Sequence, residues 1–351
     1  MVNIESLVRK NIWELKPYST ARNEFSGEAS VFLDANESSY NAPYNRYPDP
    51  MQWELKRAIA AQKNVAAEQI ALGGAGSDEL IDLLIRTFCE PKQDNIVAIA
   101  PTYAMYKVAA DINNVEYRKV ALNAQFDLCA NELLRVTDEH TKQIWLCSPN
   151  NPTGNSLNRR EIVKIIEAFS GIVVLDEAYI DFSEHKTFLR ELHKYPNLVV
   201  LQTFSKAWAS AGVRLGMAFA AREIIDVLNK VKYPYNINVL TQQHALQHIV
   251  QHDDDVKTWV KNLLAEREKL RAALISLPCV LHTFPSDANF ILTKVADANA
   301  TYRYLVSRGV IVRNRHNVEM CESCLRITVG TPEENAKLLA ELRSVEPKEA
   351  Q

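Results

Sequence analysis

The chain has 351 residues, of which 47% are hydrophobic, and its 40 basic and 43 acidic residues leave a formal net charge of −3. This length suits one large domain with a smaller one, or two comparable domains. The small net charge gives no electrostatic reason to expect nucleic acid or an anionic membrane as a partner, so an anionic ligand must be held by a few placed groups.

The first 35 residues are predicted to form an arm that leads into a loop rich in Asn, Pro and Tyr. The opening stretch lacks the apolar run of a signal peptide, and no later run is long enough to span a membrane. The cysteines are scattered in a way typical of small buried apolar side chains in a reducing compartment. Cys321 and Cys324 form one C-x-x-C, but only His316 lies near them, and no metal site is predicted. We therefore expect a cytoplasmic protein.

Helix and strand patterns alternate from about residue 53 onwards. Ser77–Glu90 has apolar residues at helical spacing and begins with a serine that could cap the helix. Two more helices are predicted over Tyr103–Asn114 and Asn158–Phe169. A first strand is predicted directly before Gly73, and four more are predicted at 95–100, 143–148, 172–179 and 198–205. Near-continuous apolar strands separated by helices predict an α/β fold with a mostly parallel sheet covered on both faces.

The pattern changes after about residue 236. A helical stretch with many polar residues is predicted over 238–277, followed by two or three strands and two further helices. This pattern indicates a second, smaller α/β domain. We predict three parts: residues 1–35 as the arm and part of the small domain, 36–237 as the large domain, and 238–351 as the connecting helix and the rest of the small domain.

Ligands bind at the carboxyl ends of the strands in open parallel sheets, so the residues that follow each predicted strand are candidates for a site. Five such segments carry polar or glycine residues: Gly73–Asp78, Pro101–Tyr103, Ser148–Gly154, Asp176–Tyr179 and Thr203–Lys206. Each has a structural alternative, since glycines make tight turns and a lone lysine can be an ion-pair partner. The glycine segment is not a dinucleotide fingerprint, because Glu79 replaces the third glycine, and no P-loop lysine follows.

Together the strand ends match the needs of pyridoxal 5′-phosphate (PLP) chemistry. A desolvated lysine amine such as Lys206 can form an imine with an aldehyde. Asp176, which is costly to bury without a partner, can keep a pyridine nitrogen protonated. Tyr179 and Asn151 can hydrogen-bond the phenolate oxygen of the ring, and Tyr103 can stack on it. The phosphate would be met by the glycine segment and by Thr203, Ser205 and Arg214.

Three motifs resemble those of fold-type I PLP-dependent aminotransferases of class II: SPNNPTG at 148–154, LDEAYIDF at 175–182 and TFSKAWASAGVRLG at 203–216. More narrowly, four segments over nearly the whole chain resemble the histidinol-phosphate aminotransferase family: NIWELKPYSTAR, NRYPDP, PTYAMY and CLRITVGTPEE. The resemblance implies a fold-type I PLP transferase, with 36–237 as the PLP-binding domain. It also implies transamination between histidinol phosphate and 2-oxoglutarate, giving imidazole-acetol phosphate and glutamate.

The resemblance also assigns roles to individual residues. Lys206 would hold the cofactor, Asp176 would pair with the pyridinium, Tyr179 and Asn151 would face the phenolate oxygen, and Tyr103 would stack. The residues implied around the cofactor phosphate are Gly76, Ser77, Asp78, Thr203, Ser205 and Arg214.

The remaining roles concern the substrate and a second subunit. Arg326 would bind the acidic group of both substrates, Arg313 would help to hold the histidinol phosphate group, and Tyr18 would lie in an arm that closes over the substrate. Tyr47 would reach the phosphate in the neighbouring subunit, which implies a homodimer. One departure is visible, because the family often has Asn-Glu-Asn-Pro where this chain has Asn36-Glu37-Ser38-Ser39, and the shape of the loop before Tyr47 is therefore in doubt.

Three alternatives remain at this point. An amino-acid-phosphate decarboxylase and an aromatic amino-acid aminotransferase share the lysine motif and the fold. A nucleotide-binding dehydrogenase with a doubly wound sheet belongs to a different class, and the broken glycine fingerprint argues against it.

Overall fold

The larger of two β-sheets has seven strands in the part of the chain that the computed structural model describes, residues 3–20, 27 and 29–345. These strands are β1 (Ile70–Gly76), β2 (Asn95–Ala100), β3 (Glu116–Ala121), β4 (Thr141–Cys147), β5 (Ile172–Asp176), β6 (Leu198–Thr203) and β7 (Gly216–Ala220). Their order is β1-β7-β6-β5-β4-β2-β3. The strands from β6 to β3 pair in parallel, whereas β7 runs antiparallel to both β1 and β6.

Burial on both faces explains the composition of the central strands. Val173 and Leu175 of β5 pack into one hydrophobic core, and Ile172 and Val174 pack into the other. Successive side chains of a strand point to opposite faces, so a strand covered on both sides must be apolar at every position. The predicted α/β fold with a mostly parallel sheet is confirmed.

Eight helices precede or cover this sheet within the described residues: α1 (Ile4–Leu7), α2 (Lys10–Trp13), α3 (Trp53–Lys63), α4 (Ser77–Phe88), α5 (Met105–Ile112), α6 (Ala130–Arg135), α7 (Arg159–Ala168) and α8 (Arg222–Val231). Short 3-10 helices lie at Ala67–Gln69, Ile180–Phe182, Phe188–Glu191 and Ala211–Val213.

The two predicted helix caps had different outcomes. Asn158 caps α7, because its side-chain oxygen accepts a hydrogen bond from the backbone N–H of Arg160. The prediction that Ser77 caps α4 is wrong, since the cap position belongs to Gly76 and Ser77 is the first helical residue. The Ser77 hydroxyl is therefore not used in a helix cap.

The smaller sheet has four antiparallel strands in the order β10-β11-β9-β8. They are β8 (Val280–Thr283), β9 (Phe290–Val295), β10 (Arg313–Asn314) and β11 (Cys324–Thr328). Four helices accompany them: α9 (Val239–Gln251), α10 (Asp253–Ile275), α11 (Ala298–Ser307) and α12 (Pro332–Arg343).

The prediction of a single long helix over 238–277 is wrong, because the helix is interrupted at His252, which separates α9 from α10. The first turn of α10 carries Asp253, Asp254 and Asp255. Acidic residues are favoured at a helix N-terminus, where they complement the helix dipole, so this run marks the start of a new helix. None of the described helices is long and apolar enough to cross a membrane.

Candidate active site

A cavity of about 390 Å³ lies where the larger sheet meets β10 and β11 of the smaller one. The carboxyl ends of β4, β5 and β6 and the N-terminus of α4 supply most of its wall, as parallel-sheet geometry requires. Its lining residues are Gly76, Ser77, Asp78, Tyr103, Cys147, Asn151, Asp176, Ala178, Tyr179, Thr203, Ser205, Lys206, Ala211, Arg214, Arg313, Arg315 and Arg326. The chain thus brings together thirteen of the predicted site residues, which come from all five strand-end segments and from the second sheet.

Asp176 ends β5 and is buried. Burial raises the pKa of its carboxyl group, while hydrogen bonds from the hydroxyl of Tyr106 and the backbone N–H of Ala178 act in the opposite direction. Tyr106 donates to Oδ2 at 2.7 Å, and Ala178 donates to Oδ1 at 3.0 Å. Each carboxylate oxygen can accept more than one hydrogen bond, so Asp176 can still accept a cationic N–H from the cavity.

Lys206 follows β6 and is partly buried in the same cavity. Burial lowers the pKa of its amine, and the positive charge of Arg326 lowers it further. The carboxylates of Asp176 and Asp78 partly oppose this shift. A lowered pKa increases the fraction of the neutral, nucleophilic amine near neutral pH.

Tyr179 lies beside the lysine, with the Lys206 Nζ 5.6 Å from the centre of its ring. Its ring packs edge-on against Phe290 of β9, with 5.2 Å between the centroids. Burial raises the pKa of the Tyr179 phenol, which therefore stays protonated and able to donate a hydrogen bond.

The N-terminus of α4 and the segment after β6 form the other end of the cavity. The hydroxyl of Tyr103 donates to Asp78 Oδ1 at 2.9 Å, and Arg214 Nη2 lies 3.8 Å from Asp78 Oδ2. Arg214 also donates to the backbone oxygens of Ala75 and Ala211 at 2.7 and 3.3 Å. A helix N-terminus beside an arginine and two hydroxyl residues, Thr203 and Ser205, is suited to a phosphate group.

The glycine segment contributes to this end differently from the prediction. Gly73–Gly76 belong to β1 itself and do not form a loop after it. The N–H groups of Gly74 and Ala75 donate to the Glu79 carboxylate at 2.6 and 3.0 Å, and the N–H of Gly76 donates to the backbone oxygen of Arg214 at 3.0 Å. These amides are therefore occupied within the chain, and the first residues of α4 are left to meet an anion.

Glycine is required at two positions here because the chain segments approach closely. Gly76 has a φ of +76°, and a Cβ there would lie 2.7 Å from Arg214 Nη2. A Cβ on Gly216 would lie 2.3 Å from the backbone nitrogen of Ser77. Side chains at either position would push β7 and the arginine away from the start of α4.

Arg326 of β11 reaches across to the larger sheet, where its Nη1 donates to Asn151 Oδ1. Arg313 lies opposite Arg326 in the β10–β11 register, and Arg315 lies just beyond. The three guanidinium groups make this wall of the cavity strongly positive. Burial lowers the pKa of Arg315 to about 10, with Arg326 and Arg313 contributing.

Tyr47 and Tyr18 lie outside the cavity. Tyr47 is 51% exposed and stacks on Tyr235, with 4.4 Å between the ring centroids. Tyr18 is 74% exposed and lies near Pro50 and Lys230.

The loop before Tyr47, whose shape the sequence left in doubt, is braced by Glu37. This carboxylate accepts hydrogen bonds from Arg46 Nη1 and from the backbone N–H of Tyr47, both at 2.7 Å. The side chain of Glu37 therefore ties the start of this loop to Arg46 and Tyr47.

Sequence reasoning missed several residues of the cavity wall: Cys147, Ala178, Ala211 and Arg315. Cys147 is the last residue of β4 and could have been found by the same strand-end rule. Arg315 could have been found from the alternation of RNR at 313–315, because residues i and i+2 of an extended segment share a face. Tyr106, which holds Asp176 from behind the cavity, looks like a core residue of a helix in the sequence.

Cys321 and Cys324 are buried free thiols, and all six cysteines of the chain are free. His316 does not approach them as a third ligand, since its Nδ1 accepts the backbone N–H of Ser323 at 3.1 Å. The described residues include no group of three or more His, Cys, Asp or Glu side chains that could hold a metal ion.

Comparisons with known proteins indicate the family of the chain. Residues 21–342 match the family model described as aminotransferase class I and II. A histidinol-phosphate aminotransferase from Bacteroides thetaiotaomicron is 58% identical over 344 residues, covering 98% of this chain and 99% of the relative. The crystal structure of the histidinol-phosphate aminotransferase from Clostridium acetobutylicum is similar at a TM-score of 0.79 and 22% identity, covering 86% of this chain and 90% of that one. The crystal structure of the histidinol-phosphate aminotransferase from Sinorhizobium meliloti in complex with pyridoxal-5′-phosphate is similar at a TM-score of 0.77 and 22% identity, covering 88% of each chain.

Proposed function

Because the chain belongs to the class I and II aminotransferases, we propose that it transfers an amino group from histidinol phosphate to 2-oxoglutarate, giving imidazole-acetol phosphate and glutamate in histidine biosynthesis. One observation carries the proposal, namely that a half-buried lysine, a buried carboxylate and three arginines line a single cavity. Membership of this family removes the nucleotide-binding dehydrogenase as an alternative.

The donor set of the cavity fits PLP, the cofactor of this family. Asp176 is a buried carboxylate without a cationic partner in hydrogen-bond contact among the described residues, which suits a protonated ring nitrogen. The phosphate would be held by Ser77, Thr203, Ser205 and Arg214 at the N-terminus of α4. Bound there, PLP supplies an aldehyde carbon for the amino group and a ring that takes up the electron pair released at the substrate α-carbon.

Lys206 has two tasks in the proposed reaction. Its amine would hold the cofactor between turnovers. The freed Nζ then moves the proton at the substrate α-carbon, acting as a general base that its lowered pKa keeps available. Asp176 holds a proton at the ring nitrogen throughout, and Tyr179 and Asn151 hydrogen-bond the phenolate oxygen.

Arg326 binds the acidic group of either substrate in this proposal. Its guanidinium is already oriented by Asn151 and lies 5.1 Å from the centre of the Phe290 ring. A guanidinium fork can hold a carboxylate or a phosphate bidentately, which allows one side chain to serve both half-reactions.

The proposed active form is a homodimer in which Tyr47 contributes to the neighbouring site. In support, Tyr47 does not line the cavity of its own chain and lies beside exposed apolar side chains that include Tyr44 and Leu240. Exposed apolar surface of this kind is typical of an interface. A cytoplasmic location is also proposed, since six free cysteines, five of them buried, suit a reducing compartment.

A half-reaction experiment tests the function. Histidinol phosphate is added to the holoenzyme without an acceptor, the cofactor absorbance is followed by rapid mixing, and imidazole-acetol phosphate is measured by mass spectrometry. We expect one equivalent of product per site and a return of the original absorbance when 2-oxoglutarate is added. Lys206→Ala should lose both the absorbance of the lysine-bound cofactor and nearly all turnover, whereas Lys194→Ala, an exposed lysine outside the cavity, should behave as the wild type.

Two control substrates separate the alternatives. Faster conversion of phenylalanine than of histidinol phosphate would identify an aromatic amino-acid aminotransferase. Release of carbon dioxide from O-phosphothreonine would identify a decarboxylase. Either result, or normal turnover by Lys206→Ala, would contradict the proposal.

A further inference from the structure

Three arginines line one wall of the cavity, which is more positive charge than a carboxylate needs. Arg313 and Arg326 face each other across β10 and β11, and Arg315 continues the same extended segment. Within the described residues none of the three forms a salt bridge with a carboxylate at 4.0 Å or less. A carboxylate is satisfied by one guanidinium fork, so the additional cations indicate a ligand group with more charge and more acceptor oxygens.

The acidic residues of the cavity are engaged elsewhere. Asp78 is bound by Tyr103 and lies near Arg214, and Asp176 is bound by Tyr106 and Ala178. Neither carboxylate therefore neutralises the arginine wall through a direct contact. Burial lowers the pKa of Arg326 and of Arg315, and repulsion from neighbouring arginines lowers both further, as expected for cations held together before an anion arrives.

Arg315 and Arg326 differ in what their side chains already contact. Arg326 donates Nη1 to Asn151, which places it beside the residues proposed to face the cofactor ring. The Nε of both arginines is buried without a partner, but among the described residues the structure gives the guanidinium of Arg315 no hydrogen bond at all. An unpaired buried donor is costly unless a ligand completes it. The donors of Arg315 are thus left for a ligand that Arg326 alone does not satisfy.

The backbone on both sides of Arg315 is fixed by the turn that contains the C-x-x-C sequence. The Arg315 N–H donates to the Cys324 oxygen at 2.9 Å, and the Arg315 oxygen accepts from Val318 N at 2.8 Å. Two further hydrogen bonds, from Cys321 N to the Val318 oxygen at 2.9 Å and from Cys324 N to the Cys321 oxygen at 3.0 Å, close the turn. Both cysteines of the turn are buried and belong to a hydrophobic core. The turn therefore holds Arg315 in place, and this gives the two cysteines a structural purpose.

We propose that Arg315 is a specificity-determining residue that binds the phosphate group of the phosphorylated substrate and leaves the carboxylate substrate to Arg326. This inference rests on the proposed function, because it assumes one phosphorylated and one carboxylate substrate in the same cavity. It also explains how one site can serve two anions of different charge. The phosphate recruits an arginine that the carboxylate does not need.

The test measures the two half-reactions separately in Arg315→Gln holoenzyme. Hydrogen bonds to charged groups contribute about 1.5–3 kcal/mol, so the half-saturating concentration of histidinol phosphate should rise roughly 10- to 100-fold. That of glutamate should change less than about twofold, since glutamate makes no contact with Arg315 in the proposal. Arg315→Lys should recover part of the loss through its charge, and Arg303→Gln, an exposed arginine of α11, should match the wild type.

Two further measurements exclude a merely structural role. The wild type should prefer histidinol phosphate to histidinol, increasingly so as pH rises through about 6, where a phosphate monoester gains its second charge. Arg315→Gln should lose most of this preference and its pH dependence. Equal losses in both half-reactions, or an unchanged preference for the phosphorylated substrate, would overturn the inference.

Inorganic phosphate separates this inference from the proposed function. It should inhibit the glutamate half-reaction of the wild-type holoenzyme competitively and should inhibit Arg315→Gln far less. If histidinol phosphate is not converted but this difference in inhibition is found, the proposed substrate is wrong while the phosphate-binding role of Arg315 holds. If the wild type and the variant are inhibited equally, Arg315 does not bind phosphate whatever the substrate is.

Discussion

The carboxylate of Asp176 lies at the end of a strand whose other four side chains are apolar and buried. Its burial raises its pKa, so the ionised form is stabilised only by Tyr106, by the Ala178 N–H and by a cation in the cavity. Asp176→Asn keeps the shape of this side chain and removes its charge. We expect the α-proton transfer to slow by a hundredfold or more, the magnitude typical of losing one preorganised electrostatic group.

The measurement is the single-turnover rate with histidinol phosphate, together with the melting temperature of the variant. The melting temperature should not fall, because the substitution removes a buried charge, the amide oxygen can still accept from the Ala178 N–H, and the amide N–H can donate to the Tyr106 hydroxyl. An unchanged rate would show that Asp176 has no part in the chemistry, and a slow but unstable variant would show a structural role instead.

At the residue level, the charged residues that directly follow strands could be predicted from the sequence, whereas the residues that hydrogen-bond to them could not. Asp176 and Lys206 could be identified because a charged residue directly after an apolar strand needs an explanation. Tyr106 could not, since its contact with Asp176 spans 70 positions and depends on how α5 sits on the sheet. The hydrogen bonds from the N–H groups of Gly74 and Ala75 to the Glu79 carboxylate could not be predicted either, because they depend on the path of the chain between β1 and α4.

Glu177 joins three elements at the edge of the same site. Its carboxylate accepts hydrogen bonds from Gln202 of β6 at 3.0 Å, from the Phe188 N–H at 2.8 Å, and from the Thr187 hydroxyl. Burial raises the pKa of Glu177 from 4.5 to about 7, against the effect of these hydrogen bonds. The folded chain therefore binds this proton more tightly than the unfolded chain, and the free energy of unfolding falls as pH rises between these two values.

Glu177→Gln should remove this dependence. Relative to the wild type, the free energy of unfolding of the variant should rise between pH 4.5 and 7 by up to about 3 kcal/mol and then stay level. Urea unfolding at a series of pH values measures this free energy. Glu184→Gln is the control at an exposed residue, and its free energy of unfolding should change with pH as that of the wild type does. A constant difference between Glu177→Gln and the wild type would contradict the assignment.

Most strands of the larger sheet were predicted from sequence, but the edge strand β3 and the antiparallel strand β7 were not. β5 and β6 appear in the sequence as uninterrupted apolar runs. β3 is an edge strand whose polar and exposed residues resemble a loop, and it was missed. β7 was missed as well, because its antiparallel insertion between β1 and β6 departs from the regular strand–helix alternation.

At the scale of the whole molecule, the proposed active form uses surfaces that are exposed in a single chain. The domain boundaries predicted at 35 and 237 remain predictions, although each of the two sheets has a core of its own. Part of the arm, at 21–26 and 28, lies outside the described residues. The pattern of apolar residues predicts the hydrophobic cores, because buried positions favour apolar side chains. It does not predict where the exposed Tyr47 binds, because that depends on the surface of a second chain.

The proposed dimer predicts that two defective chains can restore one another. Lys206→Ala removes the lysine of its own site, whereas Tyr47→Ala weakens PLP binding in the neighbouring site. A mixed dimer would contain one site with both residues intact and one site with neither. Once isolated, the mixed dimer has one working site of its two, so its activity at limiting PLP should approach about half of the wild-type value.

The experiment co-expresses the two chains with different tags, isolates the mixed dimers and compares their activity with that of each variant alone. Tyr44→Ala is the matched control, since Tyr44 is an exposed tyrosine of the same loop and no role in the cofactor site is proposed for it. That variant alone should retain its activity at limiting PLP. Mixed dimers that stay as inactive as the parent variants would show that Tyr47 does not act across the interface, and a monomeric wild type in light scattering would exclude the arrangement altogether. Restoration is expected because Tyr47 stacks on Tyr235 and does not line the cavity of its own chain, so its proposed role belongs to the site of the neighbouring chain.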